Sequence, residues 1–214
     1  MKLLLIHTAG AEGSVALASE EGVVAEGVLP GRSASERLVL EVRVLLEGAG
    51  WRLAELAAVV VVHGPGSFTG VRVGLSAAKG LVEAAGVPLI AISRLELVAR
   101  ASGLAGVVHV ALDAGRGEFY FGVYEGGVLV RESLLTAAEV SEAARSVVAC
   151  EAKVAEVLTG VVLIEEPTAA AALPIALERL ARGEVDDPAV VDANYLRRTD
   201  FEIKAKLESR AAAK

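Results

Sequence analysis

The residues best suited to chemistry lie in a glycine-rich run, Gly64-Pro65-Gly66-Ser67-Phe68-Thr69-Gly70-Val71-Arg72-Val73-Gly74. It joins an apolar run to a helix-forming segment, where loops of α/β sheets often bind ligands. It matches neither the Walker phosphate loop nor the GxGxxG dinucleotide fingerprint. Ser67 or Thr69 can cap the helix, and Arg72 falls in its first turn, where the helix dipole disfavours a cation. We expect a carboxylate, a bound anion or a partner near Arg72; a tight connection with a salt-bridged arginine is the alternative.

A second candidate site is a cleft where two strands end, with His7 and Thr8 after the first strand and Asp113 and Arg116 after a later one. In two-lobed phosphotransfer folds the first position normally carries a carboxylate for a metal-nucleotide. Because histidine replaces a hard oxygen ligand of Mg²⁺ poorly, we expect any ATPase activity at this site to be impaired or absent. His7 is then a core or loop histidine. Asp113 and Arg116 form either an anion-sensitive loop or a turn with a local ion pair.

The composition excludes several classes of site. The 214 residues carry a net charge of −7, which disfavours nucleic-acid binding over the whole surface. The single cysteine, Cys150, excludes a disulfide framework and a multi-thiolate zinc site, and is expected to be buried and inert. The three histidines form no HxxxH pair. We therefore expect no metal and no cofactor to be bound by this chain alone.

Hydrophobic periodicity predicts an α/β protein whose secondary structure repeats once along the chain. His7 and Asp113, and likewise Gly22 and Gly127, lie about 105 residues apart at equivalent points of a strand–turn–strand–turn–strand–helix unit. The prediction is two similar lobes, 1–103 and a less regular 104–214, each a mixed sheet flanked by helices. The predicted strands are 2–6, 14–19, 23–29, 57–62, 88–92, 107–113, 118–124, 128–134, 146–150 and 161–164. The predicted helices are 34–48, opened by a capping box from Ser33 to Glu36, then 70–85, 93–101, one after Thr136, and 168–182.

Two helices of the first lobe are candidates for a docking surface. The 70–85 helix has a second apolar stripe made mostly of small residues, which would let another helix approach closely. That helix is either 34–48 of the same lobe or one from another subunit, which makes a dimer plausible. The candidate interface residues are Leu38, Val42, Leu45, Val73, Ala77, Gly80 and Ala84.

The two ends of the chain suggest location and one further contact. The chain contains no run of 18 apolar residues, so no membrane span is predicted. The first apolar run stops at His7, too early for a signal-peptide core. We therefore expect a cytoplasmic protein. The C-terminal tail from residue 196 carries six cations against three anions, and it is either a solvated, frayed helix or an arm that touches a partner or RNA phosphates.

With these residues in place, the chain resembles the TsaB family of bacterial tRNA threonylcarbamoyladenosine biosynthesis proteins, earlier described as glycoprotease-like. The most specific match is HGPGSFTGVRVGLSAAKGL at 63–81. Further matches, in the family's order, are LLLIHTAG, PLIAISRLE at 88–96, LDAGRGEFYFGVY at 112–124 and Tyr195-Leu196-Arg197-Arg198. The resemblance implies a fold of the actin, sugar-kinase and Hsp70 type and a non-catalytic subunit. Two positions depart from the family pattern, which usually has an aspartate at His7 and often a histidine at Ala34.

The resemblance also implies partners. A larger homologous subunit, TsaD, would hold the metal and transfer threonylcarbamoyl to N6 of adenosine 37 in tRNAs reading codons that begin with A. The ATPase TsaE would join the complex, and tRNA would be met only through it. In isolation the chain would form a homodimer through its first-lobe helices. The alternative is an independent enzyme of the same fold, a small ATPase or kinase or a metallopeptidase.

Overall fold

The computed structural model describes residues 1–30 and 34–196. The first five strands are β1 (Lys2–His7), β2 (Gly13–Ser19), β3 (Gly22–Leu29), β4 (Ala58–Val62) and β5 (Leu89–Ile92). They form one sheet in the order β3-β2-β1-β4-β5. The tight turns make β1, β2 and β3 an antiparallel meander, whereas β4 and β5 join in parallel after helical crossovers. All five residues of β4 are buried, as expected for a strand covered on both faces.

The second sheet repeats this topology. Its strands are β6 (Val107–Gly115), β7 (Glu118–Glu125), β8 (Val128–Thr136), β9 (Val147–Ala149) and β10 (Val161–Leu163). The order is β10-β9-β6-β7-β8, again a three-stranded meander extended by two parallel strands. Each sheet is flanked by helices, so the predicted pair of similar lobes, each with a mixed sheet, is confirmed.

In the described residues, the sheets are covered by the helices α1 (Ala34–Ala49), α2 (Phe68–Ala85), α3 (Arg94–Ala101), α4 (Ala137–Ala143), α5 (Ala152–Val157) and α6 (Leu173–Ala181). α1 and α2 pack on one face of the first sheet, where Leu38, Val82 and Leu4 belong to one apolar cluster. The opposite face is covered by α6, whose Ile175 packs with Leu3. α4 and α5 cover one face of the second sheet.

α3 lies between the two sheets. Its Leu97 belongs to the apolar cluster of the first sheet, whereas Leu95 and Val98 pack with Val110 of the second. Thus α3, from the first half of the chain, reaches the second sheet, and α6, from the second half, covers the first. The boundary near residue 103 stays a prediction.

The structure refines several sequence expectations. α2 begins at Phe68 because Ser67 caps it, two residues before the predicted start. The predicted 168–182 helix is a 3-10 turn, Ala169–Ala172, followed by α6, and the short α5 was not predicted. The Ser33 capping box and the basic residues from 197 onward lie outside the described residues. Among the described residues, no helix combines the length and apolar character needed to cross a membrane.

Candidate functional site

The glycine-rich loop packs tightly onto the end of β1. Ser67 donates its backbone N–H to the Ala9 carbonyl at 2.9 Å, and the Thr8 hydroxyl donates to the Gly70 carbonyl at 2.7 Å. A Cβ at Gly66 would lie 2.2 Å from the Ala9 oxygen, and one at Gly70 would lie 2.0 Å from the Thr8 oxygen. These glycines therefore permit a close approach of two backbones. In this arrangement Thr8 is buried and holds the loop.

Further along the loop, Gly64 has φ +105°, a conformation that side chains strongly disfavour. It follows His63, whose Nδ1 lies 2.9 Å from the Asp192 carbonyl oxygen. Pro65 is buried, while Ser67, Phe68 and Thr69 are exposed. The Ser67 hydroxyl accepts from the Gly70 N–H at 3.2 Å and so caps α2.

Arg72 is stabilised by aromatic rings. Its guanidinium carbon lies 3.7 Å from the centroid of the Phe68 ring and 5.7 Å from that of Tyr195. The Arg72 Nε donates to the Tyr195 hydroxyl at 2.7 Å. No acidic residue in the described part of the chain forms an ion pair with Arg72, so within these residues the alternative of a salt-bridged arginine is not observed, and cation–π contacts surround the guanidinium instead. Phe68 nevertheless remains 57% exposed.

A partly buried ionic cluster surrounds Arg94, at the start of the helix that lies between the two sheets. Arg94, 2% exposed, places Nη2 2.7 Å from both carboxylate oxygens of Glu166 and 3.1 Å from Oε1 of Glu151. Burial alone would raise the pKa of Glu166, but the contact with His7 and the charge of Arg94 lower it to about 2. Burial also works against the Arg94 charge, yet the surrounding acids raise its pKa. The Arg94 charge is therefore balanced by the carboxylates of Glu166 and Glu151.

This cluster connects the ends of β1 and β6. His7 is buried, and its Nε2 lies 3.5 Å from Oε1 of Glu166. Burial lowers the pKa of the His7 imidazole, and the nearby charge of Arg94 acts in the same direction. On the other side, Glu151 accepts the backbone N–H of Asp113 at 2.6 Å. The position that carries a metal-nucleotide ligand in two-lobed phosphotransfer folds thus holds His7, whose imidazole faces the carboxylate of Glu166.

The other predicted cleft residues have different surroundings. Asp113 forms an ion pair with Lys153 at 2.6 Å, and Arg116 is exposed in the following turn at φ +60°. Cys150 lies beside the cluster, 3.3 Å from Oε2 of Glu166. Burial raises the pKa of the Cys150 thiol to about 12, so it is protonated at neutral pH.

A second polar cluster also joins the lobes. Glu132 of β8 accepts hydrogen bonds from the hydroxyls of Ser93 and Tyr124, and from the Asn194 amide at 2.6 Å. Burial and the neighbouring Glu132 carboxylate raise the pKa of Tyr124. The Asn194 backbone also donates to the His63 carbonyl at 2.8 Å. The segment before residue 197 is thereby fixed to both lobes.

Neither cluster was predicted from the sequence. Arg94 is separated by 57 residues from Glu151 and by 72 from Glu166, so no local spacing relates them. The available signals were weak: an arginine at the first position of a helix, a glutamate beside Cys150 and another beside Pro167. The described residues contain no group of three or more His, Cys, Asp or Glu side chains placed to hold a metal ion.

The candidate docking residues divide between core and surface. On α1, Leu38 and Val42 are 1% and 2% exposed because they face the first sheet, so their assignment to a partner interface is corrected. Leu45 is half-buried below the helix. The apolar side chains that α1 exposes instead are Val39, Leu40 and Val44.

On α2, the stripe of small residues is partly covered. Val73 and Ala77 are half-buried in the cluster shared with α1, whereas Gly80 and Ala84 are exposed. A Cβ built at Gly80 would meet no neighbouring atom within 4 Å, so another helix could approach α2 closely there. The exposed parts of α1 and α2, which we call the helical face, comprise Val39, Leu40, Val44, Gly80 and Ala84.

Two sheets with the same meander-plus-parallel order define an α/β protein of two similar lobes. Residues 15–161 match the family model described as TsaD: tRNA N6-adenosine threonylcarbamoyltransferase. YeaZ from Pseudomonas aeruginosa superposes with a TM-score of 0.77 and 30% identity, over 91% of this chain and 99% of that one. A second Pseudomonas structure, described as similar to peptidase YeaZ, gives a TM-score of 0.79 at 29% identity, over 92% and 99% of the two chains.

Curated relatives carry the name TsaB. The TsaB protein of Escherichia coli is 37% identical over 129 residues, and that of Bacillus subtilis is 35% identical over 127; each alignment covers 58% of this chain. The chain belongs to the TsaB family. The alignments span 55% and 56% of the two relatives' own lengths. A tRNA N6-adenosine threonylcarbamoyltransferase of Erythrobacter litoralis is 44% identical over 84 residues, 39% of this chain and 24% of that protein.

Proposed function

We propose that the chain acts in tRNA threonylcarbamoyladenosine biosynthesis as a non-catalytic activating subunit. The larger subunit, TsaD, would transfer threonylcarbamoyl to N6 of adenosine 37 in tRNAs reading codons that begin with A. TsaE would join the complex, tRNA would be met only there, and the location would be the cytoplasm. The observation that carries this proposal is the helical face, an apolar surface outside the cleft.

The helical face has the character of a docking surface. Val39 and Leu40 are each 58% exposed and Val44 is 52% exposed, on one helix and in one short segment. Exposed apolar side chains clustered in this way are typical of protein–protein contact sites. Gly80 and Ala84 on the adjacent helix add no bulk, so a partner's helix can pack closely between the two.

The nature of the partner follows from sequence similarity. The family model for the larger enzyme matches most of this chain, and a threonylcarbamoyltransferase is 44% identical to it over 84 residues. A partner with a similar lobe carries a comparable pair of helices. Two related lobes can therefore pack about an approximate twofold axis through the same surfaces. In the absence of TsaD, a second copy would use this face, which gives a homodimer.

The ionic cluster supports the non-catalytic part of the proposal. The Arg94 guanidinium is engaged by Glu151 and Glu166, and His7 occupies the end of β1. A nucleotide phosphate entering the cleft would have to displace these carboxylates from Arg94. We therefore propose that the chain alone binds neither Mg-ATP nor a catalytic metal, and that both belong to its partners. Isothermal calorimetry of the isolated chain should show no binding heat with Mg-ATP.

Reconstitution tests the function directly. TsaD and TsaE from the same organism are combined with tRNA, ATP and threonylcarbamoyl-adenylate, and modified adenosine is quantified by mass spectrometry. We expect the modification to require this chain. Product formation at the same rate without the chain, or by the chain alone, would contradict the proposal.

A further inference from the structure

A cavity of about 620 Å³ lies where the end of α3, the turn between β7 and β8 and the start of α6 meet. Val108, Tyr124 and Ile175 line it with buried side chains. Leu104 also lines it and is 52% exposed, so the cavity has an apolar base and an open side. A volume of this size between elements of two lobes is typical of small-molecule sites.

One charged side chain borders this apolar cavity. Among the described residues that line it, Arg100 alone carries a formal charge. Arg100 Nη2 donates to the carboxylate of Glu178. Glu178 and Glu96 line a neighbouring cavity of about 400 Å³ but not this one. Because the Glu178 side chain is 49% exposed, solvent screens its charge, and this pair does not neutralise Arg100 as a buried ion pair would.

The guanidinium of Arg100 has donors left for a ligand. Its Nε and Nη1 make no hydrogen bond with any residue of 1–30 or 34–196. Nη1 lies beside Gly127, where a Cβ would overlap it and where φ +82° disfavours any residue but glycine. The glycine turn thus leaves room for the guanidinium at the edge of the cavity. A permanently charged group with free N–H donors is well suited to a carboxylate.

We propose that this cavity binds an amphipathic monocarboxylate, with its apolar chain against Val108 and Ile175 and its carboxylate accepting hydrogen bonds from Arg100. The apolar base removes the chain from water, and Arg100 selects an anion over an amine. The ligand touches α3, the β7–β8 turn and α6 together, so its binding stabilises their arrangement. The described residues of the site include none from the helical face, and the inference does not depend on the proposed function.

Calorimetric titration of the full chain tests the class of ligand, with octanoate as the probe. One octanoate should bind per chain, with a dissociation constant of about 1 mM or below. Hexanoate should bind about tenfold more weakly, because two fewer methylenes are buried. Octylammonium has the same chain with the opposite charge and should bind at least about tenfold more weakly than octanoate.

Two arginine variants and methyl resonances locate the site. Arg100→Met keeps an unbranched apolar side chain and should weaken octanoate binding about tenfold. Arg182→Met is the matched control, because Arg182 is exposed, pairs with Glu184 and does not line this cavity, so affinity should be unchanged. Octanoate should shift the methyl resonances of Ile175 but not those of Val154, which lies in a different apolar cluster.

Any of four results would overturn the inference: no binding heat at about 10 mM octanoate, several octanoates bound per chain, equal affinity for octylammonium, or wild-type affinity in Arg100→Met. Octylammonium tests the role of charge in the unsubstituted chain, so a poorly folded Arg100→Met variant would leave the inference testable. Loss of the octanoate site would not affect the proposed function, which is measured separately as tRNA modification.

Discussion

Replacing Arg94 with methionine should destabilise the protein through the acids that it leaves behind. Glu166 and Glu151 have side chains only 27% and 20% exposed, so their charges would lose a partner in a poorly solvated place. Lowering of the Glu166 pKa from 4.5 to about 2 corresponds to about 3 kcal/mol of stabilisation, which the contact with His7 and the charge of Arg94 provide together. Breaking buried ion pairs by removing one partner typically costs about 3–5 kcal/mol. We expect a loss of about 3 kcal/mol in the free energy of unfolding at pH 7.

The loss should depend on pH with a definite sign. Because the Glu166 pKa is lower in the folded than in the unfolded chain, its contribution is present above about pH 4.5 and is lost as the pH falls toward about 2. In Arg94→Met, burial is no longer offset by the arginine, so the Glu166 pKa rises. Acid then favours the folded variant relative to wild type. The deficit of the variant should narrow by at least about 1 kcal/mol between pH 7 and pH 4.

Urea denaturation followed by circular dichroism at both pH values measures these quantities. Arg43→Met is the matched control, because Arg43 pairs with Glu47 on the exposed side of α1 and its loss should be barely measurable. A deficit below 1 kcal/mol at pH 7, or one that is equal at pH 7 and pH 4, would refute the assigned role of Arg94.

Two further predictions concern the loop and the thiol. Gly70→Ala should lower the melting temperature by several degrees, because its Cβ would lie 2.0 Å from the Thr8 carbonyl oxygen. Gly80→Ala should raise the melting temperature slightly, because a Cβ there meets no neighbouring atom within 4 Å and alanine favours the helix by about 1 kcal/mol. Equal shifts of the melting temperature in the two variants would contradict this. Burial raises the pKa of the Cys150 thiol to about 12, so iodoacetamide at pH 8 should alkylate Cys150 at least tenfold more slowly than it alkylates glutathione. Mass spectrometry follows the alkylation, and comparable rates for the two thiols would contradict the raised pKa.

Local patterns predicted much of the fold. The alternation of apolar runs with Glu21-Gly22 and Gly126-Gly127 located both hairpin meanders, and the Val-rich run before His63 located a strand buried on both faces. The repeat spacing of about 105 residues indicated two lobes of the same topology.

These local patterns did not predict how distant parts of the chain pack against one another. The sequence shows that Leu38 and Val42 share a stripe but not which side of α1 faces the sheet, so exposed Val39 and Leu40 were overlooked. Periodicity likewise did not reveal that α6 returns to cover the first sheet. The pairing of Arg94 with two distant glutamates depends on the completed fold, and no pair of neighbouring residues encodes it.

The most direct test of docking through the helical face is the rate of tRNA modification by TsaD and TsaE with substituted chains. Ala84→Arg places a long cation on the exposed side of α2, and Ala138→Arg makes the same change at an exposed position of α4 in the second lobe. We expect Ala84→Arg to reduce the modification rate at least tenfold while its melting temperature stays near that of wild type, and Ala138→Arg to support the full rate. Full activity of Ala84→Arg, or equal losses in both variants, would contradict the assignment of the helical face as the surface on which the chain acts.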